Sequence, residues 1–279
     1  MFKSLIFLVL LPMISFAQND TIEQHFIIFI NGHRGAKANK EITNNQLHLK
    51  DPTRYWYNYD DTIIQRFNPV QATYFDGHHP VTYSMHRNNA RFVKAYLFSR
   101  FCWISKKSKW VLNTKFNPKG FDARVENGKI AGKLWLKWLD SLSNKPTRPI
   151  VHIVSHSMGY AYSLGIIEEL QSHVKFGKML SLAPESAAYK GFDLSLFDEV
   201  WQYGSNMDQP DADVIYYQDG IAPQTAIPGI EKLPLEKGGR VFIPKNWPKK
   251  QKGFIKSHHL NYFQWFYWIK PGDKGFFKR

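Results

Sequence analysis

The sequence is poor in cysteine: Cys102 is the only one in 279 residues, so no intrachain disulfide can form. Acidic residues are also few, with 23 Asp and Glu against 37 Lys and Arg. After the first 17 residues, no apolar run approaches the roughly 20 residues that a bilayer-spanning helix needs. There is no internal repeat and no low-complexity linker. A hydrophobic core alone must therefore hold the fold, and a chain of this length can bury enough apolar surface for that.

The first 17 residues, MFKSLIFLVLLPMISFA, have the pattern of a secretory signal peptide. Lys3 precedes an apolar run, and Ser15 and Ala17 are the small residues that a cleavage site before Gln18 requires. The run is too short for a transmembrane helix. We therefore predict cleavage near Ala17/Gln18, a single mature domain over residues 18–279, and a secreted or periplasmic location.

The net charge is +14, and much of it lies near the C-terminus, in PKNWPKKQKGFIK and KPGDKGFFKR. Such charge can attract an anionic surface. A solvated basic surface explains it more simply, and no nucleic-acid-binding module accompanies it. We therefore expect no specific nucleic acid partner, and the oligomeric state is left open.

Short apolar segments alternate with amphipathic ones along the mature chain. Strands are predicted over residues 25–30, 70–75, 149–154, 178–184, 199–204, 213–218 and 240–244. Helices are predicted over residues 87–103, 126–144, 159–173 and 260–270. This alternation predicts an α/β fold with a doubly wound, mostly parallel sheet.

Residues 36–68 are polar and aromatic and are predicted to be an insertion after the first core strand. Their aromatic cluster either packs on the scaffold or forms the inner face of a lid; it comprises Tyr55, Trp56, Tyr57 and Tyr59. In the helix over residues 126–144, helical spacing predicts one buried apolar face. That face comprises Ile130, Leu134, Trp135, Trp138 and Leu142.

The segment PIVHIVSHSMGYAYSLG, residues 149–165, has a serine between a predicted strand and a predicted helix. A nucleophile elbow has this arrangement, with small residues on both sides of the serine so that the turn can tighten. Gly159 meets this need, and Ser155 stands in place of the usual glycine. The motif predicts Ser157 as a nucleophile. The Met158 amide, at the helix N-terminus, is then an oxyanion donor.

Three segments, VHIVSHSMG, FINGHRG and KSHH, together resemble the α/β-hydrolase superfamily, and its lipase- and esterase-like members in particular. The resemblance covers most of the mature chain in the order of its elements. It implies a second oxyanion donor in the loop after the first strand. There Gly32 allows close backbone approach, and the His33 amide follows it. Most such loops begin His-Gly, and here Asn31 takes the first place; a plain turn is the alternative.

The same resemblance implies a catalytic histidine after the last strand and an acid after an earlier one, in the chain order Ser, Asp, His. We predict His258 as the histidine, with the adjacent His259 as the alternative. For the acid we predict Asp219, which directly follows the predicted strand 213–218, with Asp208 as the alternative. In such a triad the histidine takes the serine proton and the carboxylate fixes its tautomer.

The implied function is that of a secreted serine hydrolase that cleaves a small-molecule or lipid carboxylic ester without a cofactor. The sequence does not indicate the length of the acyl chain. One alternative is a non-catalytic ligand-binding protein on the same fold, because a fold does not decide function. Another is an amidase or a thioesterase, since these substrates pass through the same type of tetrahedral intermediate.

A histidine-rich stretch, YFDGHHPVTYSMH, follows the second predicted strand. Histidine and carboxylate side chains can bind a metal ion, and here they are Asp76, His78, His79 and His86. Their spacing matches no metal-binding motif. We therefore predict that these residues line the cleft or pack within the fold, and that they hold no metal.

Overall fold

The computed structural model describes residues 23–32, 46–78, 118–144, 146–207, 224–248 and 258–278. The predicted signal peptide, the helix over residues 87–103 and the strand over residues 213–218 lie outside the described residues. The same holds for several predicted site residues, namely His33, His79, His86, Asp208 and Asp219.

Six parallel strands form one sheet in the described part of the chain. They are β1 (His25–Asn31), β2 (Gln71–Asp76), β3 (Ile150–His156), β4 (Lys175–Leu182), β5 (Phe197–Asn206) and β6 (Gly238–Ile243). Their order across the sheet is β2-β1-β3-β4-β5-β6, and every neighbouring pair is parallel. The predicted α/β class with a parallel sheet is confirmed.

Helices cover both faces of the sheet. The α-helices are α1 (Tyr59–Phe67), α2 (Pro118–Asp140) and α3 (Gly159–Leu170). Short 3-10 helices span Ala187–Tyr189, Leu194–Leu196 and Ile230–Lys232. Two further 3-10 segments joined by a kink at Phe263 span Leu260–Trp268 and are together called the terminal 3-10 helix. None of the helices in the described ranges has both the length and the apolar character that a bilayer crossing requires.

The central strand β1 shows how the core divides between the two faces. Every residue of this strand is buried, as expected for a parallel strand covered on both sides. Phe26, Ile28 and Ile30 pack with α2 and α3, whereas Ile27 and Phe29 pack with α1 and the terminal 3-10 helix. Alternate side chains of a strand point to opposite faces, so one continuous apolar segment serves two cores.

The buried face of α2 differs from the predicted one. Trp135 is fully buried as expected, but Ile130 and Leu134 are exposed. The reason is the close contact between α2 and α3: a Cβ atom on Gly128 would collide with the backbone of α3 at Tyr162. The helix presents its small residues to α3, which turns Ile130 and Leu134 outward. Apolar spacing alone could not show this, because backbone contact between helices needs small residues rather than large ones.

The aromatic residues of the insertion mostly pack on the scaffold. Trp56 is buried, and its ring lies 5.1 Å from that of Phe29. Tyr59, the first residue of α1, is also buried and stacks at 4.8 Å on Tyr267 of the terminal 3-10 helix. Tyr57 is exposed. Of the two alternatives for this cluster, packing on the scaffold therefore accounts for Trp56 and Tyr59.

Candidate active site

Ser157 occupies a sharp turn between β3 and α3. Its backbone φ is 60°, in the left-handed region that residues other than glycine rarely adopt. Three main-chain hydrogen bonds hold this conformation. The Ser157 N–H donates to the Leu182 carbonyl at 2.9 Å, and the Ser157 carbonyl accepts from the N–H groups of Tyr160 and Glu185 at 3.1 and 3.3 Å. Strain that the surroundings hold in place is characteristic of functional turns.

The residues on either side of Ser157 fit the narrow space around the turn. A Cβ atom on Gly159 would lie 2.5 Å from the Ile30 carbonyl oxygen, so this position needs glycine. Ser155 belongs to β3, and its hydroxyl lies 3.1 Å from the hydroxyl of Ser181 on β4. This small residue is therefore accommodated as a buried hydrogen-bonding partner within the sheet.

The structure brings Ser157 and His258 together. His258 Nε2 lies 2.8 Å from Ser157 Oγ, and both residues are buried. His258 directly precedes His259, which is the N-cap of the terminal 3-10 helix and is exposed. Of the two neighbouring histidines, it is thus His258 that contacts the serine hydroxyl. An imidazole in this position can accept the serine proton.

Gly32, at the end of β1, lies directly against the serine. A Cβ atom on Gly32 would come within 2.5 Å of Ser157 Cβ and 3.0 Å of Ser157 Oγ. The Asn31 side-chain Nδ2 donates to the Gly32 carbonyl at 2.9 Å and to Asp76 Oδ1 at 2.7 Å. The Asn31 amide thus links the loop after β1 to Asp76 at the end of β2. The backbone at Gly32 therefore approaches Ser157 closely.

The first predicted oxyanion donor is the backbone N–H of Met158. This residue is the N-cap of α3 and has helical dihedral angles, so its N–H belongs to the positive end of a 12-residue helix. A helix N-terminus favours negative charge, which is what an oxyanion carries. The second predicted donor, the His33 amide, lies outside the described residues.

Asp76 and His78 form part of the hydrogen-bond network around Asn31. Asp76 Oδ1 accepts both the Asn31 amide and the backbone N–H of His78, the latter at 3.0 Å. Among the residues that the structure describes, no group of three or more His, Cys, Asp or Glu side chains is arranged to hold a metal ion.

Neither predicted triad acid, Asp219 nor Asp208, lies within the described residues. A different carboxylate, Glu185, was not predicted from the sequence. It follows β4, is buried, and places Oε1 3.7 Å from His258 Nε2. That nitrogen is the one that contacts Ser157, whereas the acid of a Ser-His-Asp triad bonds to Nδ1. Glu185 therefore lies near the Nε2 atom of His258, on the side of the ring that faces Ser157, and not where a triad acid would bond to Nδ1. Its position just after a predicted strand, in SLAPES, was the available signal.

His156, which immediately precedes Ser157, was also missed. Its ring is buried, and burial lowers its pKa to about 3, so the imidazole is neutral. His156 Nε2 lies 2.8 Å from the His258 carbonyl oxygen, and Nδ1 lies 2.5 Å from the Tyr55 hydroxyl. Burial also raises the pKa of Tyr55 above its ordinary value, which keeps the phenol protonated. The residue before the serine is thus connected to the histidine loop and to the insertion.

No protein-family model and no curated protein matches this sequence. Function is therefore inferred from the geometry of the site. That geometry joins a serine in a strained turn, a buried imidazole on its hydroxyl, and a helix N-terminus beside it. These parts can activate a hydroxyl for attack on a carbonyl carbon and can stabilise the negative charge that develops on its oxygen.

Proposed function

We propose that this protein is a secreted serine hydrolase of the α/β-hydrolase type that cleaves carboxylic esters. The observation that carries the proposal is the 2.8 Å contact between Ser157 Oγ and His258 Nε2 at a left-handed turn. A serine in an ordinary turn needs neither the backbone strain nor a buried imidazole on its hydroxyl. Secretion is proposed from the pattern of residues 1–17.

The order of the strands supports a site at this position. From β1, the chain goes to β2 on one side of the sheet, while β3 lies on the other side. In open parallel sheets, a crevice forms at the carboxyl ends of the strands where the order changes direction in this way. Gly32 follows β1 and Ser157 follows β3, so both lie at the carboxyl edge of the sheet where the strand order changes direction.

The proposed reaction has two steps. In the first, Ser157 Oγ attacks the ester carbonyl carbon while His258 Nε2 accepts the hydroxyl proton, and the imidazolium then gives that proton to the departing alcohol. In the second, water attacks the acyl-enzyme with the same imidazole as base, which releases the acid and restores Ser157. The Met158 N–H and the His33 N–H are proposed to stabilise the oxyanion of both tetrahedral intermediates.

Asp219 is proposed as the acid that orients His258, with Asp208 as the alternative. Asp208 comes almost directly after the end of β5 at Asn206, whereas Asp219 lies further along the same connection to β6. Both carboxylates are therefore on the connection that leaves the carboxyl edge of the sheet, where Ser157 also lies. The comparison of the two is an experiment described in the Discussion.

The decisive test is covalent labelling with a fluorophosphonate probe, which reacts with activated serines. We expect the wild-type protein to be labelled at Ser157, to hydrolyse p-nitrophenyl acetate, and to lose both properties in Ser157→Ala. Ser163→Ala is the matched control, because Ser163 is a buried serine on α3 whose hydroxyl bonds to the Tyr160 carbonyl. An unlabelled, inert wild-type protein would instead favour the ligand-binding alternative.

The same experiment separates the ester from other acyl substrates. Amides and thioesters form the same acyl-enzyme on Ser157, so the probe labels the protein in all three cases. Comparison of kcat/KM for matched p-nitrophenyl ester, anilide and thioester substrates then ranks the leaving groups. A higher value for the anilide or the thioester than for the ester would replace the esterase proposal with an amidase or thioesterase.

A further inference from the structure

The ring of His156 has a defined tautomer. Its Nε2 faces the carbonyl oxygen of His258 at 2.8 Å, and a carbonyl oxygen can only accept a hydrogen bond. Nε2 therefore carries the proton and donates it. Nδ1 then has a lone pair, which accepts the hydroxyl proton of Tyr55 at 2.5 Å. Both ring nitrogens are thus used, and each in only one direction.

The Tyr55 hydroxyl makes a second connection in the same place. The backbone N–H of Gly32 also lies near this oxygen and opposes the rise in the pKa of Tyr55, and Gly32 is the residue whose main chain lies against Ser157. One phenol oxygen therefore joins the loop after β1 to the ring of His156. The ring of His156 in turn bonds to the backbone of His258. The loop after β1, the turn at Ser157 and the loop that carries His258 are therefore linked through the side chains of Tyr55 and His156.

We propose that Tyr55 and His156 are positioning residues that hold the loop after β1 and the backbone of His258 in the geometry that Ser157 needs for reaction. This inference rests on the proposed function. Neither side chain bonds to the serine hydroxyl in the described contacts. Each acts through another group: His156 through the His258 carbonyl, and Tyr55 through His156 and Gly32.

Two further observations favour positioning over simple packing. The ring of His156 also contacts the ring of His258, with centroids 4.9 Å apart, so it constrains both the backbone and the side chain of that residue. Both hydrogen-bond partners of His156 come from segments distant in sequence: 101 positions separate Tyr55 from His156, and 102 separate His156 from His258. An apolar residue at either position would fill the space but would leave the three segments unlinked.

The experiment compares Tyr55→Phe, His156→Leu and His156→Gln with wild type, using kcat and KM for p-nitrophenyl acetate and Tm for each protein. Small displacements of reacting groups cost up to about a hundredfold in rate. We expect Tyr55→Phe and His156→Leu to lower kcat by about ten- to a hundredfold with KM changed by no more than about threefold. His156→Gln should recover most of the loss, because its neutral amide also offers one donor and one acceptor.

Tyr57→Phe is the matched control, because Tyr57 is an exposed tyrosine in the same segment and should retain wild-type kinetics. The inference is overturned if Tyr55→Phe and His156→Leu fold and keep the kcat of wild type, or if Gln at position 156 is no better than Leu. The proposed function fails separately, if wild type neither hydrolyses the ester nor reacts with the fluorophosphonate probe.

A measurement on the wild-type protein covers the case in which the substituted proteins do not fold. Long-range proton–nitrogen NMR correlation reports which imidazole nitrogen carries the proton. We expect His156 to be neutral and protonated on Nε2, and the Nδ1 resonance to be shifted by an accepted hydrogen bond. A proton on Nδ1, or a charged ring at neutral pH, would overturn the proposed positioning role of Tyr55 and His156.

Discussion

Ser157 Oγ lies 2.8 Å from Nε2 of His258, although 101 positions separate the two residues along the chain. The serine comes from the turn after β3, and the histidine from the loop before the terminal 3-10 helix. Only the folded chain makes this pair. Its neighbours are a left-handed backbone at Ser157, a helix N-terminus at Met158 and a close main-chain approach at Gly32.

The two neighbouring histidines should differ sharply in their effect on catalysis. His258→Ala removes the base on Ser157 and is expected to lower kcat by orders of magnitude, as removal of a triad member does. His259→Ala is the matched control: this ring is exposed, and we expect kcat within about threefold of wild type. Steady-state hydrolysis of p-nitrophenyl acetate measures both. The assignment is wrong if the two effects are reversed.

The acid can be identified by three amide substitutions assayed on the same ester. Asp219→Asn should lower kcat by about four orders of magnitude, because a wrong imidazole tautomer has an effect of this size. Asp208→Asn should be mild, and a severe loss there with a mild one at Asp219 would transfer the role to Asp208. Glu185→Gln is the control for a buried carboxylate in the site. We expect it to lower kcat less than Asp219→Asn does, because Glu185 lies near Nε2 of His258 and not near Nδ1.

Gly32→Ala tests the close approach of the first loop to the serine. The added methyl group would lie 2.5 Å from Ser157 Cβ, so the loop must move away and carry its backbone donors with it. We expect kcat/KM to fall by about a hundredfold or more, since displacement of one oxyanion donor has this effect. Gly272→Ala is the control: nothing lies within 4 Å of its added methyl, and its strained φ of 93° should lower Tm without changing kcat/KM. Equal activity losses in the two proteins would remove Gly32 from the site.

His156 should make the stability of the fold depend on pH. Burial lowers its pKa from an ordinary 6.5 to about 3, so between these values the unfolded chain binds a proton that the folded chain does not. The free energy of unfolding should therefore fall as the pH drops from about 6.5 towards 3, by up to about 1.4 kcal/mol per pH unit for one proton. Above pH 6.5 this group contributes no pH dependence.

Urea unfolding of wild type and His156→Gln across this pH range measures the effect. Glutamine does not titrate, so the difference between the two proteins should grow smaller as the pH falls. His173→Gln is the control for replacing a histidine by glutamine, because His173 is exposed. Parallel pH profiles for wild type and His156→Gln would contradict a buried neutral His156.

Much of the sheet was predictable because buried parallel strands are short, continuous apolar segments. Residues 25–30 and 149–154 were predicted as strands, and the structure has β1 at His25–Asn31 and β3 at Ile150–His156. The turn at Ser157 was also predictable, since its small residues and the helix after it are local features. By contrast, α1 was missed, although Tyr59, Ile63 and Phe67 repeat at helical spacing on its buried side. The charged residues between them obscured that pattern.

The remaining differences come from contacts between distant segments. The buried side of α2 depends on how closely α3 approaches its backbone, which the apolar spacing of α2 alone does not indicate. The same is true of the contacts at His156: its partners, Tyr55 and the His258 carbonyl, lie on two loops far away in sequence. A histidine beside a serine in a short motif has no pattern that identifies such partners.

The left-handed backbone at Ser157 implies a conflict between selection for folding stability and selection for a serine hydroxyl at this position. A non-glycine residue in this conformation costs about 1 kcal/mol relative to glycine, which adopts it freely. A chain that used this turn only to connect β3 with α3 would therefore become more stable by replacing the serine with glycine. Folding stability alone would thus favour glycine at this position over generations, and the proposed use of the hydroxyl group would oppose that change.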